Sequence, residues 1–252
     1  MKRLVIICVC VLGMCHFLAC KKSNIPAVTA AATAIFPGDT QVPYDTSGVS
    51  GVFLSRLSLD SSGVTAQCNL SFSAWFTHRV TKGFADSAIV IANGRTLTEQ
   101  GNYLTANTGS FIPPTGFKAD TPVAWIVKGN AQGSFGYANT DSFPAYTAAL
   151  PDTVSATLNN TFVFNTSTVA DADTILFQLV MPVNKDSSVT VLSYYGNPSG
   201  GNITLEKGIT GMLAKKSIGV FVSVFNHQVL TINGSKHMFI KQYTLGRNVW
   251  FK

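Results

Sequence analysis

Between residues 64 and 76 the apolar side chains fall on every second position. Val64, Ala66, Cys68, Leu70, Phe72, Ala74 and Phe76 alternate with Thr65, Gln67, Asn69, Ser71 and Ser73. A strict period of two over this length describes a half-buried antiparallel strand. It sets Cys68 on the core face, as a small buried hydrophobe rather than a reactive thiol. Trp75 falls among the polar positions instead, next to Ser73 and Thr77. Two readings stand for it. An exposed Trp can stack on a sugar or anchor a partner through its apolar area and N–H; alternatively, a loop or neighbouring domain covers that face.

The same reading predicts strands over 88–92, 123–128, 162–164, 174–181, 189–195, 218–225, 238–243 and 249–251. Trp125 lies in register with Val123 and Val127 and belongs to the core. Asn93-Gly94 and Asn233-Gly234 are hairpin dipeptides, and the second suggests that 228–232 pairs with 236–240. The one helical candidate, 204–216, contains Gly208 and Gly211, which oppose a stable helix. Many short strands separated by Gly, Asn and Asp turns argue for an all-β fold built of sandwiches.

The body after residue 46 is about 205 residues long, enough for one large or two small β domains. The stretch from Phe143-Pro144 to Pro151-Asp152 reads as a connector. Phe53 to Leu59 followed by Asp60-Ser61-Ser62 is echoed by Phe177 to Val183 followed by Asp186-Ser187-Ser188. The expectation is two tandem immunoglobulin-like antiparallel sandwiches, over 47–147 and 148–252; Asp and Ser are common in any turn, so duplication and coincidence both explain the echo.

Only 12% of residues are charged, about half the usual ~25%. Ser, Thr, Asn and Gly replace them, as in extracellular β proteins. The net charge of +6 includes Lys2 and Arg3 and forms no long basic block, which excludes a nucleic-acid partner.

Lys2 and Arg3 precede an uncharged apolar run over 4–19, shorter than the roughly 20 residues of a spanning helix. This is the pattern of a secretory signal. Its end, Phe17-Leu18-Ala19-Cys20, resembles the lipobox of bacterial lipoproteins, with Phe17 where Leu is usual. The resemblance implies a signal peptide over 1–19, cleavage before Cys20, and lipidation of Cys20 with three acyl chains (palmitate among them), beyond the marginal hold of one. Asp is missing after the cysteine, and Cys20-Lys21-Lys22-Ser23-Asn24 looks like Bacteroidetes-type lipoproteins of the outer membrane. Which face of that membrane carries the body stays open. Residues 20–46, rich in Ala and Thr and broken by Pro26, Pro37 and Pro43, read as a tether. Cys8, Cys10 and Cys15 leave with the signal, so Cys68 has no internal partner for a disulfide. Asp86-Ser87-Ala88, Asp152-Thr153-Val154 and Asp173-Thr174-Ile175 are similar to the O-glycosylation sequon of the same group.

Groups for chemistry are sparse. The glutamates are Glu99 and Glu206, and His78, His227 and His237 follow the signal. No Gly-x-Ser-x-Gly, Ser-x-x-Lys or His-Glu-x-x-His occurs. His227 and His237 flank the Asn233-Gly234 turn, either as a metal pair or as two surface histidines. Asp171 and Asp173, with Asn165, read as oxygen donors for calcium or as a polar loop. Tyr194-Tyr195 and Trp250-Phe251 put aromatics on both faces of their strands, which makes Tyr194, Tyr195 and Trp250 candidate ligand-binding residues beside Trp75. No catalytic residue, metal or other cofactor is expected. The functional expectation is a non-catalytic envelope lipoprotein, a binding or assembly module with a protein or glycan partner. The alternative is a carbohydrate-binding accessory lipoprotein for glycan uptake.

Overall fold

The computed structural model describes residues 42–61, 67–76, 88–101, 103–111, 122–129, 133–165, 167–184, 187–198 and 201–252. Cys20, His78 and the Asp86-Ser87 pair lie outside them. Among the described residues the fold is all-β, with mixed and antiparallel sheets and one short helix. Among the described residues no helix is long and apolar enough to cross a membrane.

In chain order the strands are β1 (Gly51–Asp60), β2 (Gln67–Phe76), β3 (Ile89–Ala92), β4 (Arg95–Thr96), β5 (Thr98–Gln100), β6 (Tyr103–Phe111), β7 (Val123–Lys128), β8 (Phe135–Asn139) and β9 (Ala145–Tyr146). They continue as β10 (Thr153–Val154), β11 (Asn160–Phe164), β12 (Val169–Ala170), β13 (Thr174–Asn184), β14 (Ser187–Gly196), β15 (Gly201–Leu205), β16 (Lys216–Ile232) and β17 (Ser235–Phe251). A helix, α1 (Lys207–Met212), precedes β16.

One long sheet runs in the order β14-β13-β16-β17-β1-β2-β6-β5, with β10 paired to the end of β17. At its centre β16 and β17 form an antiparallel hairpin from Ile232↔Ser235 out to Lys216↔Phe251. The turn is Asn233-Gly234, with φ of 52° and 78°. Positive φ at both central residues gives a turn whose twist matches the strands, and Asn and Gly are the residues that tolerate it. The predicted pairing of 228–232 with 236–240 is what forms. Asn93-Gly94 makes the equivalent turn between β3 and β4. The separate last strand predicted over 249–251 is the continuous end of β17.

Three short sheets cover the same face of the long one. The β4-β3-β7-β8 sheet packs Val90, Val123, Trp125 and Val127 against Phe53, Phe72 and Phe239. Trp125 is 1% exposed and meets Phe53 and Phe72 edge-on, with centroids at 5.3 and 5.8 Å. The β11-β15 and β9-β12 pairs lay Phe162, Phe164, Ile203 and Tyr146 on Phe177, Val220, Val222 and Phe251. Leu59 and Tyr243 pack against both cores. Burial, with a smaller contribution from Cys68, pushes the Tyr243 phenol up to about 12. Cys68 lies on the core face and is buried, which raises its thiol pKa.

Phe143 packs in one core and Tyr146 in the other, but Phe239 from beyond residue 148 belongs to the same core as Phe143. Nor does the hydrogen bonding divide there. β1 pairs with β17 in parallel over ten residues, from Gly51↔His237 to Asp60↔Gly246, so strands from either side of residue 148 share one sheet. β17 therefore supplies Phe239 to one core and Leu245, Val249 and Phe251 to the other. The echoed segments are the hairpins β1-β2 and β13-β14, which flank the central pair in different ways: β1 is parallel to β17, β13 antiparallel to β16.

The predicted instability of 204–216 is corrected by tertiary bonds. Asn159 Oδ1 accepts from the Lys207 N–H at 2.8 Å, and Thr210 Oγ1 donates to the carbonyls of Ala156 and Leu158, both at 3.3 Å. These hold a six-residue helix that its glycines alone disfavour.

His237 is fully buried rather than on the surface. Its ring sits 4.7 Å from Phe135 and 6.0 Å from Phe53, and among the described residues neither ring nitrogen has a hydrogen-bond partner. Burial lowers its pKa, because the apolar surroundings penalise the imidazolium. A depressed folded pKa means that the unfolded chain takes up the proton first. The His237 contribution to stability is therefore complete above about pH 6.5 and is lost as the pH falls below it, at no more than about 1.4 kcal/mol per pH unit. His237→Phe keeps the aromatic packing and removes this dependence. Urea titrations between pH 7.5 and 5 are expected to show the variant gaining on the parent as the pH drops; a constant difference would contradict the assignment.

Candidate functional site

The opposite face of the long sheet carries the site. Alternation sends Val52, Leu54, Met238, Ile240, Phe225 and Leu176 to this side, where they form a third buried cluster. Val42 and Tyr44 pack on it, so the segment expected to act as tether through residue 46 is already docked at Val42. Tyr44 also lies over His227, with ring centroids at 4.0 Å. Burial, and then the Asp173 carboxylate, push its phenol pKa up.

Further along this face the side chains turn polar. Arg56 on β1, Gln242 and Thr244 on β17, Ser223 on β16 and Gln178 on β13 share it by register. Arg56 Nε donates to Gln242 Oε1 at 2.9 Å. Gln242 Nε2 donates to Thr244 Oγ1 at 2.9 Å and Ser223 Oγ at 3.3 Å, and the two hydroxyls lie 2.8 Å apart. Gln178 Nε2 donates to Ser193 Oγ at 3.3 Å. Arg56, Gln178, Ser223 and Gln242 are each at most 5% exposed. Buried polar groups are tolerated when bonded to one another, and a satisfied network of this kind fixes side-chain orientation.

The belt lines a pocket of about 310 Å³, together with Phe221, Val180 and Leu59. Phe221 has an unusual posture. A Cβ on Gly246, its cross-strand partner, would lie 2.8 Å from Phe221 Cε1 and 2.9 Å from Cδ1. One on Gly219 would lie 2.7 Å from Cε2. A strand side chain normally stands off the sheet; this ring lies down across two glycines, in room that any other residue would fill.

A second, polar hollow of about 770 Å³ is lined by Asp141, Asp171, Asp173, Asn226 and His227. His227 Nδ1 lies 2.8 Å from Asp173 Oδ2, which also accepts the His227 backbone N–H at 3.0 Å. Asn226 Nδ2 donates to the Asp171 carbonyl at 3.1 Å. Asn165 Oδ1 is turned into its own loop, where it accepts the Ser167 N–H at 2.9 Å. Among the described residues no three His, Cys, Asp or Glu side chains are grouped to hold a metal ion. His227 and His237 do not meet: His227 registers with Ile240 and His237 with Leu230, which puts the two rings on opposite faces.

The aromatics singled out from sequence are scattered. Trp75 is half-buried and packs with Tyr195 against the apolar cluster on the site's face. Tyr194 points to the other face and packs on a core. Trp250 is 46% exposed at the far end of β17, opposite Ser217 and Thr153. None of the four lines the 310 Å³ pocket. Its own residues left a faint trace in the sequence, as single polar interruptions of apolar runs: Gln178 in Ile-Leu-Phe-Gln-Leu-Val-Met and Ser223 in Val-Phe-Val-Ser-Val-Phe.

Comparison with protein-family models, curated proteins and solved structures finds no match for this chain.

Gln242 is the hub of the belt. Gln242→Leu keeps its bulk but removes the acceptor of Arg56 Nε and the donor to two hydroxyls. The expected loss is about 1–3 kcal/mol, the cost of leaving buried polar groups unpaired. Equilibrium urea unfolding measures it, and an unchanged midpoint would refute the hub role.

Proposed function

We propose that this chain is a lipid-anchored, non-catalytic binding or assembly module of a bacterial outer membrane, and that its ligand or partner enters the pocket on the open sheet face. The observation that carries the binding reading is the pocket itself, a concavity with an aromatic floor and a wall of pre-bonded amides, hydroxyls and the Arg56 guanidinium, with the Asp60 carboxylate also in its lining. Binding sites characteristically combine apolar lining with a few fixed polar groups. Its wall is built without the paired carboxylates of a hydrolase. The Asp173–His227 pair lies in the other hollow, with the Tyr44 ring tilted over the imidazole. In this reading the two cores are immunoglobulin-like sandwich units that share β16 and β17. The anchor rests on the Leu-Ala-Cys junction at 18–20 and the lysines behind it. Trp250 gives a protein partner a second point of contact at the sheet's far end.

The anchor has a direct test. Mass spectrometry of the protein from membranes is expected to find Cys20 as the acylated first residue, and Cys20→Ser is expected to move it to the soluble fraction. An unmodified amino terminus at Met1, with membrane association unaffected by Cys20→Ser, would refute the anchor.

A further inference from the structure

We propose that the pocket on the open sheet face binds the pyranose ring of a neutral carbohydrate, stacked on Phe221. This deepens the binding reading above and rests on it. Three observations converge.

The first is the posture of Phe221. Ring atoms Cδ1, Cε1 and Cε2 occupy the space that Cβ atoms at Gly246 and Gly219 would need. One face of the ring is therefore pressed on the sheet backbone and the other is turned toward the pocket. Phe221 is also partly exposed, between neighbours Val220 and Val222 that are fully buried. A flat apolar plate at the floor of a polar pocket suits a molecule with one C–H face and polar edges, as a pyranose has.

The second is the chemistry of the wall. Gln178, Gln242, Ser223 and Thr244 carry amides and hydroxyls, which both donate and accept. Sugar hydroxyls do the same. The bonds among Gln242, Ser223 and Thr244, and that of Gln178 to Ser193, hold these side chains in place before any ligand arrives, which lowers the cost of ordering them on binding.

The third is size. A cavity of about 310 Å³ lies at the lower end of the roughly 300–1,000 Å³ of small-molecule sites. It suits a single sugar unit or the end of a chain, rather than a long segment.

The test uses the full-length protein in a sugar-free detergent. Methyl glucoside, methyl galactoside, methyl mannoside and N-acetylglucosamine are each titrated, with saturation-transfer NMR and calorimetry as readouts. At least one is expected to bind, with transfer strongest at its ring C–H protons. Phe221→Leu is expected to weaken that ligand about tenfold, the upper range for one aromatic contact. Gly246→Ala is the sharper variant, because it removes no group from the pocket. The three atoms nearest its new Cβ all belong to the Phe221 ring, two of them closer than 3.0 Å, so it tips the plate upright, and a loss of similar size is expected. Phe221→Tyr keeps the plate and is expected to keep the affinity, which separates loss of the ring from loss of fold. Silence from all four sugars, or parental affinity in both Phe221→Leu and Gly246→Ala, overturns the proposal. Either outcome leaves the lipid on Cys20 untouched, so failure here and failure of the anchor are told apart.

Discussion

The hairpin of β16 and β17 is the element on which the rest of the structure depends. Each strand is 17 residues long, and their register starts from one two-residue turn. The side-chain period is two, so a slip of one residue would exchange the faces. Val220, Val222 and Val224 would leave the core, and Phe221, Ser223 and Phe225 would enter it. The local chemistry of Asn233-Gly234 thus decides at long range which side of the sheet is core and which is site. The hairpin also joins the two cores, because its strands run on from one to the other.

The polar belt reinforces the same register. Polar groups pulled from water cost several kcal/mol unless paired. Arg56, Gln242, Ser223 and Thr244 find partners only when β1, β16 and β17 are aligned as observed. Any other alignment buries the same side chains among Val, Leu and Phe. The belt contributes little net stability as a set of hydrogen bonds, yet it penalises the wrong pairing of three strands at once. The glycines act in the opposite sense. Gly219 and Gly246 give up side-chain packing at the centre of a sheet, and the Phe221 ring restores part of that contact by lying over them.

What the sequence made legible was local. The two Asn-Gly turns, the alternation that buries Cys68, and Trp125 in step with Val123 and Val127 follow from a handful of adjacent residues. The all-β class follows from their sum. What it hid depends on partners far away in the chain. The parallel pairing of β1 with β17 brings Arg56 to Gln242 across 186 positions, and no local pattern encodes it. His237 reads as a surface residue beside a turn until β8 supplies Phe135 as its neighbour. The helix over Lys207–Met212 reads as too glycine-rich until Asn159 and Thr210 tie it down. Trp75 lies on the face opposite Phe72 and Ala74, and that face is packed, so of its two readings the covered one describes the structure. The pocket was missed for a related reason: its polar residues sit singly inside apolar runs, and only the sheet lines them up.

The docking of Val42 and Tyr44 bears on how such a body is presented. They pack on the apolar end of the face that also carries the pocket, so the chain reaches the sheet on its pocket side. Under the proposed anchoring, a body held close to the bilayer by that route would have its pocket turned toward lipid. The spacer decides the matter. From Cys20 to Val42 there are 22 residue steps, which span at most roughly 75 Å when fully extended. That exceeds the roughly 40–45 Å thickness of a whole bilayer, headgroups included. On the proposed anchoring, a tether of this length would leave the sheet-face pocket open to soluble glycan or to a neighbouring protein, where a spacer of a few residues would press the same face against the membrane.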